Sequence, residues 1–444
     1  MSVRYDKLVP ALKTLLPDDT LSFLGRAVAF IRRLREVEAS TFVWSVVLSR
    51  FGSGRPAFEQ ARQWYGRLGG ASIWRRPFQM RFKTPRAVRL FEYAFQTAVT
   101  PWRDPKRRRA RHPLQRCFPD IVAWDSTLMQ VDDSLKKVFK GTRAAKASLK
   151  ACVAITVFGL LPLFAEIVAG NRHDMLLFPP LHLFQRGTLL LFDKGFACYA
   201  RLRTIADAGH HYLCPMRLNG NARIVKVRHA PAYVRRALRA HPEGVFLRDI
   251  LPATKRLGRV WDLDVLVRPQ ANAKDPTWIR TRLVIVPGPK GKQHPYLTNL
   301  APIVWKARAL RELYRLRWQI ELVFKELKQN LNLETLPSAD RHAVQVLAWA
   351  SLLALALSRC VATWIQPLAL MTGLASKARP HLVTRALRST IRLVARALTA
   401  PARHVRLYLR DLADELLLEA QSFETTREDS FQRLLPLLQP RPAS

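Results

Sequence analysis

Apolar residues recur at helical spacing through the first hundred positions. Leu21 to Leu34, Ser40 to Phe51 and Phe58 to Leu68 each predict a helix, and another is expected to start at Thr84, an N-cap with Pro85 at N1 and RAVRLFEYAF behind it. After Phe118 the period changes to that of strands. IVAWDSTLM, LKACVAITVF, PLFAEIVAG and TLLLFDKGF are short apolar runs, the first and last each reaching an acid, with a helical stretch near Leu176 to Phe184 before the last. More strands follow from His211 to about Pro302, among them VWDLDVLV, IRTRLVIV and YLTNL. Tyr314 to Lys328 predicts a single helix. Val344 to Ser358 predicts a buried core helix, shorter than the roughly 20 residues that span a membrane, and Ser376 to about Leu438 a basic helical tail.

The order strand, strand, strand, short helix, strand is how an RNase H-like domain begins. The expected class is therefore α/β: an RNase H-like catalytic domain interrupted by a β-rich insertion, with helical regions at both ends. The expected segments are a helical DNA-binding region over 1–102, a basic linker over 103–117, the first part of the catalytic domain over 118–210, the insertion over 211–302, the second part over 303–375 and a helical region over 376–444. In the first of these, short helices broken by Gly, Ser and Pro, together with IWRRPFQMRFK, suit a small helix-turn-helix-like module. The run RDPKRRRARHPLQR supplies the linker's charge.

Charge narrows the partner. Lys and Arg total 73 against 33 acidic residues, a formal excess of +40 that calls for a polyanion. The basic residues are spread along the chain instead of clustering beside an apolar anchor, which favours nucleic acid over a membrane surface. MSVRYDKLVPALKTLLPDDT lacks the apolar core and cleavage site of a secretory signal, so a cytoplasmic location is expected. Cys117, Cys152, Cys198, Cys214 and Cys360 are isolated and form no CxxC pair, which disfavours a disulfide framework or a zinc site.

The candidate chemistry lies in three acids. Asp125 is expected to end the first strand and Asp193 the fourth, neighbours in such a sheet, so both carboxylates emerge at one edge and Glu321 joins them from a later helix. Carboxylates that converge from distant positions suit hard divalent cations, which take oxygen ligands. Within YRLRWQIELVFKELK, Tyr314, Arg317, Glu321 and Lys328 stand at offsets of three, seven and fourteen. At 100° per residue they share a stripe about 60° wide, with Trp318 beside it. Singly, an Asp at a strand end is a common turn residue, and Arg317 with Glu321 is an ordinary i,i+4 pair. The set together points to chemistry on phosphates.

Y-x2-R-x3-E-x6-K resembles the YREK motif of IS4-type DDE transposases. DSTLM resembles that family's first motif, with Ser126 where Gly is common, and DKGF its second, with Lys194 in place of Arg. LKACVAI, EIVAGNRHD and YLTNL are similar to it as well, so the resemblance covers roughly Asp120 to Ala356. It implies that Asp125, Asp193 and Glu321 hold Mg2+, with Mn2+ as a substitute. It also implies that Tyr314, Arg317 and Lys328 contact the element's end, with Trp318 and Lys194 beside them. Trp261 or Trp278 would stack on a flipped base, and the 127 residues between Asp193 and Glu321 favour the long-insert subgroup. The implied activity is cutting of terminal inverted repeats and joining of 3′-hydroxyls to double-stranded target DNA by a homodimer. A metal-dependent nuclease without strand transfer is one alternative. A non-catalytic DNA-binding descendant is another, which retention of all three acids together with YREK disfavours.

Overall fold

A computed structural model describes residues 8–31, 37–52, 57–107, 113–142, 145–217, 222–251, 259–268, 278–288, 292–371, 379–400 and 402–421. The chain opens with helices α1 (Leu8–Leu15), α2 (Asp18–Ala27), α3 (Ala39–Ser49), α4 (Ala57–Arg67), α5 (Arg75–Phe82) and α6 (Pro85–Val99). Thr84 caps α6 as expected: its hydroxyl accepts the Ala87 N–H at 3.1 Å, and Pro85 fills N1, where no donor is needed. The helix expected to reach Leu34 stops at Ala27. Ala29 adopts a φ of 55°, and the N–H groups of Ala29 and Ile31 turn back to the Arg26 and Gly25 carbonyls. Gly25 then lies against α3, where a Cβ would stand 2.6 Å from that of Ala39. Only glycine permits that approach.

Next come β1 (Ile121–Gln130), β2 (Lys140–Thr142), β3 (Ala145–Thr156), β4 (Pro162–Ala169), β5 (Leu189–Phe192), α7 (Tyr199–Asp207), β6 (His211–Pro215), β7 (Arg223–His229), α8 (Ala232–Ala240), β8 (Val245–Phe246), α9 (Leu247–Ile250), β9 (Trp261–Val267), β10 (Ile279–Pro287) and β11 (Gln293–Thr298). The described residues close with α10 (Ala307–Arg315), α11 (Trp318–Asn330), α12 (Arg341–Met371), α13 (Pro380–Thr399) and α14 (Ala402–Gln421). The described strands form one mixed sheet in the order β2-β3-β1-β5-β6-β11-β10-β9-β7-β8, with β4 also on β3. β1, β5 and β6 are parallel, and β1 and β3 are antiparallel. Residues 211–302 thus extend the same sheet through β11, which pairs with β6.

Alternation along β1 and β10 separates two cores. Ile121, Ala123, Val284 and Val286 face the layer of α10, α11 and α12, whereas Val122, Trp124, Leu283 and Ile285 face α7 and α8. The first core continues without a break into the N-terminal helices. Phe95 packs on Trp349 with ring centroids 5.5 Å apart, and buried Arg50 donates to Ser351 Oγ at 3.0 Å and to the Thr335 carbonyl at 3.1 Å. Burial pushes that guanidinium down to about 10.

The helix expected from Val344 to Ser358 is longer, 31 residues in α12. Arg359, the residue after the expected end, sits inside it because Glu326 of α11 meets the charge with two hydrogen bonds, at 2.8 and 2.7 Å. By length and composition α12 could cross a membrane, but most of its apolar window is buried in protein.

Candidate active site

Register brings two acids together. Trp124 of β1 lies opposite Phe192, the last residue of β5, so Asp125 and Asp193 come next on adjacent parallel strands. Asp125 does not end its strand as expected. β1 runs on to Gln130 against β3, and it is the partner on the other side, β5, that stops. By alternation Asp125 shares the face of Ile121 and Ala123 and points toward α11. Asp193 precedes a short turn, Lys194–Phe196. A Cβ on Gly195 would stand 3.4 Å from Asp174 Oδ2 and 4.0 Å from Asp193 Oδ2, so the absent side chain leaves room between two carboxylates.

The segment from Tyr314 to Lys328 is not one helix. α10 ends at Arg315, and the N–H groups of Leu316 and Arg317 bond to carbonyls three residues back, Leu313 and Tyr314, before α11 starts at Trp318. Such a tightened turn advances about 120° per residue against about 100° in an α-helix, which shifts the phase across the junction. Beyond it, Arg317, Glu321, Phe324, Lys325, Lys328 and Gln329 line one cleft with Asp125 and Asp193. Tyr314 does not line this cleft, although the charge of Asp193 reaches its phenol. It is half-buried against Tyr296, centroids 5.0 Å apart, with the Arg317 guanidinium 5.7 Å from its ring.

The cleft, about 570 Å³, holds a compact charge network. Arg317 Nη1 donates to Asp125 Oδ2 at 2.5 Å and Nη2 donates to Glu321 Oε1, so one guanidinium joins two of the three acids. The Ser126 N–H donates to Asp125 Oδ1 at 2.8 Å. Burial pushes the Asp125 carboxyl up to about 6, against the pull of Arg317 and the Ser126 N–H, with the charges of Asp193 and Glu321 adding to the rise. Burial likewise pushes the Tyr314 phenol up, opposed by Arg317. At Arg317 burial works against the charge, but Tyr314, Asp125 and Glu321 hold the group above its ordinary value. Lys328 pairs with Glu334 at 2.9 Å.

Behind the acids lies a trio that sequence reasoning did not single out. The Lys150 ammonium donates to Asp174 Oδ1 and to the Arg172 carbonyl, both at 2.7 Å, and Ser126 Oγ donates to the same Asp174 oxygen at 3.3 Å. Asp174 closes the NRHD run quoted above, which was the available signal. Trp318, the first residue of α11, is half-exposed, and Lys194 is exposed. Trp261 is fully buried and offers no face to a base, whereas Trp278 is half-buried just before β10.

Asp125, Asp193 and Glu321 supply the all-oxygen donor set that hard divalent cations take. Among the described residues no three such groups close on one point as placed, and Arg317 stands between Asp125 and Glu321.

The family model described as Transposase DDE domain matches residues 116–357, more than half of the chain, and the chain belongs to that family. A curated relative is "Putative transposase y4zB" of Sinorhizobium fredii (strain NBRC 101917 / NGR234), 27% identical over 203 residues. The match covers 45% of this chain and spans half the length of that relative. Among solved structures, the piggyBac transposase synaptic complex with hairpin DNA overlaps 98% of this chain and 86% of its own, with a TM-score of 0.35 and 9% identity. That likeness is too distant to inform the site.

Proposed function

We propose that this chain is an IS4-type DNA transposase that cuts the terminal inverted repeats of a mobile element and joins the 3′-hydroxyls to double-stranded target DNA. The reading rests on one observation: Asp125, Asp193 and Glu321 face a single cleft together with Arg317 and Lys328, within a chain of the Transposase DDE domain family. The order β4-β3-β1-β5-β6, with β1, β5 and β6 parallel, supports an RNase H-like core whose acids sit at the carboxyl ends of its parallel strands.

In this reading Asp125, Asp193 and Glu321 hold Mg2+, or Mn2+ in its place. Such ions, when bound, favour deprotonation of an attacking water or hydroxyl and neutralise charge at a scissile phosphate. The remaining work falls to the chain's own groups. Arg317 can exchange its carboxylates for phosphate oxygens, for which its planar fork is suited, and Lys328, released from Glu334, offers a cation one turn beyond Lys325. Trp318 presents an open ring where an unpaired base could stack, as could Trp278, and Lys194 lies beside Asp193. The Lys150–Asp174 pair braces Ser126 and so the backbone that carries Asp125. Two copies of the chain, acting in the bacterial cytoplasm, would hold the two ends.

The test is an assay of nicking and joining on DNA carrying the sequences that flank the gene, with Mg2+, for the full chain and for Asp125→Ala, Asp193→Ala and Glu321→Ala. Loss of both activities with DNA binding retained is expected. Nicking without joining would leave a nuclease, and undiminished cleavage by all three variants would remove the site.

A further inference from the structure

We infer that a second cleft, on the same sheet edge as the three acids, is a binding site for phosphodiester groups of the DNA strand that passes through the catalytic cleft. This inference rests on the DNA chemistry proposed above and adds a place and a direction to it.

The cleft, about 640 Å³, is lined by His229, Arg259, Val260, Val286, Pro287, Arg308, Arg311 and Glu312. Its charge is one-sided. Glu312, the one acid in the lining, lies 3.3 Å from Arg315, which engages it, whereas Arg259, Arg308 and Arg311 have no hydrogen-bond or ion-pair partner among the described residues. Other arginines of the same sheet are treated differently. Arg228 and Arg280 pair with Asp264 at 2.8 and 3.2 Å, and Arg282 pairs with Asp262 at 2.7 Å. Arg308 and Arg311 are i,i+3 neighbours on α10, an arrangement in which like charges repel. An anion placed between them relieves that repulsion. Burial and the charges of Arg311 and Lys292 hold the nearby His294 imidazole below its ordinary range, in keeping with a positive local field.

Strand direction fixes where this cleft lies. β6 runs parallel to β5, β11 reverses, β10 reverses again, β9 reverses and β7 returns to the direction of β5. Val286 and Pro287 close β10, His229 closes β7, and Arg259 and Val260 precede β9. All of them therefore lie on the edge where β5 gives way to Asp193. From β5 to β10 are three strand steps of about 4.8 Å, which puts the second cleft on the order of 15 Å along that edge. A nucleic-acid strand rises about 3.4 Å per nucleotide, so the arginines meet phosphates about four nucleotides from the reacting one. α10 spans the interval, since it carries Arg308 and Arg311 and runs directly into Arg317. Three guanidiniums without a partner among the described residues suit phosphate oxygens, each able to give two parallel hydrogen bonds.

The full chain and its Arg308→Ala/Arg311→Ala variant would be titrated with a labelled random-sequence duplex of ~30 base pairs over a range of salt, since backbone contacts are read by counterion release. Arg308 is exposed and Arg311 half-buried, so the fold should survive, and Arg308→Lys/Arg311→Lys provides a charge-preserving check. The slope of log K against log salt should fall by about two in the alanine pair and stay near that of the parent in the lysine pair. Arg235→Ala/Arg239→Ala removes the same charge from exposed positions of α8, on the other face of the sheet, and should leave the slope unchanged. An unchanged slope in the Arg308/Arg311 pair, or an equal drop in the α8 pair, would overturn the inference. Calorimetry with inorganic phosphate separates the two sources of the ligand: tight phosphate binding lost in the alanine pair, without a change in DNA slope, would assign the cleft to a free phosphate and defeat the DNA reading of it. If the parent chain binds no DNA at all, it is the transposase proposal that fails.

Discussion

α11 carries an arginine–carboxylate cluster on each of two faces. On the core face, Arg359 and Glu326 are 1% and 3% exposed, and the guanidinium is fully used: two bonds to Glu326, one to the Leu160 carbonyl and others to Ser358 and Thr384. On the cleft face, Arg317 reaches Asp125 and Glu321, yet its Nε is buried without a partner among the described residues and Asp193 lines the same opening. One cluster is sealed and complete; the other is open to exchange. A completed pair fixes helices relative to each other, because any rearrangement strands a buried charge. An incomplete pair can release its carboxylates when a better cation arrives, and its arginine when a phosphate does. The same two residue types, packed against two faces of α11, thus form one completed cluster and one that is open.

The largest expected effect is on the open side. Asp125→Ala, Asp193→Ala or Glu321→Ala should bring DNA nicking to background while a gel-shift assay still detects binding, since carboxylates hold cations rather than duplex. Second comes the sealed side: Arg359→Ala should destabilise the fold by about 3–5 kcal/mol in chemical unfolding, by leaving Glu326 charged and alone. Replacing both partners, Arg359→Met with Glu326→Leu, should recover most of that loss. If the double replacement is as damaging as the single one, the pair does more than neutralise itself. Arg317→Ala should slow single-turnover cleavage while calorimetry still finds Mg2+ bound; a well-folded variant unable to bind the ion would mean that this arginine organises the cleft instead of serving the substrate. Lys328→Ala should be mildest, with a change of about 0–1 kcal/mol in stability, as for other solvent-facing pairs. A modest weakening of DNA affinity in a salt titration is expected beside it.

Asp193 was legible because an apolar run that reaches an acid marks where a buried strand ends; Asp125 stands inside β1, and the register Trp124–Phe192 is what sets the two side by side. Arg317, Glu321 and Lys328 were legible from helical offsets. The break before Trp318 was not, because a turn tightened at Leu316 and Arg317 leaves the apolar periodicity nearly intact. That the strands of 211–302 join the main sheet depends on β6 meeting β11, a pairing across more than 80 residues that no local pattern encodes. The shared core of the N-terminal helices was hidden for a related reason. Periodicity tells that Phe95 is buried, but not that Trp349 buries it. Asp174 was passed over because its value lies in what Lys150 and Ser126 bring to it.

Arg50 and Ser351, whose side chains meet in the first core, are 301 positions apart. At a synthesis rate of 5–20 residues per second, roughly 15–60 s separate the appearance of the two at the ribosome. During that interval Phe95 lacks Trp349, the ring of α12 that packs on it, although it ends up fully buried. The nascent amino-terminal helices are therefore expected to expose part of their apolar face until α12 has been made, so that the timing of synthesis, and not only the sequence, sets when this core can close.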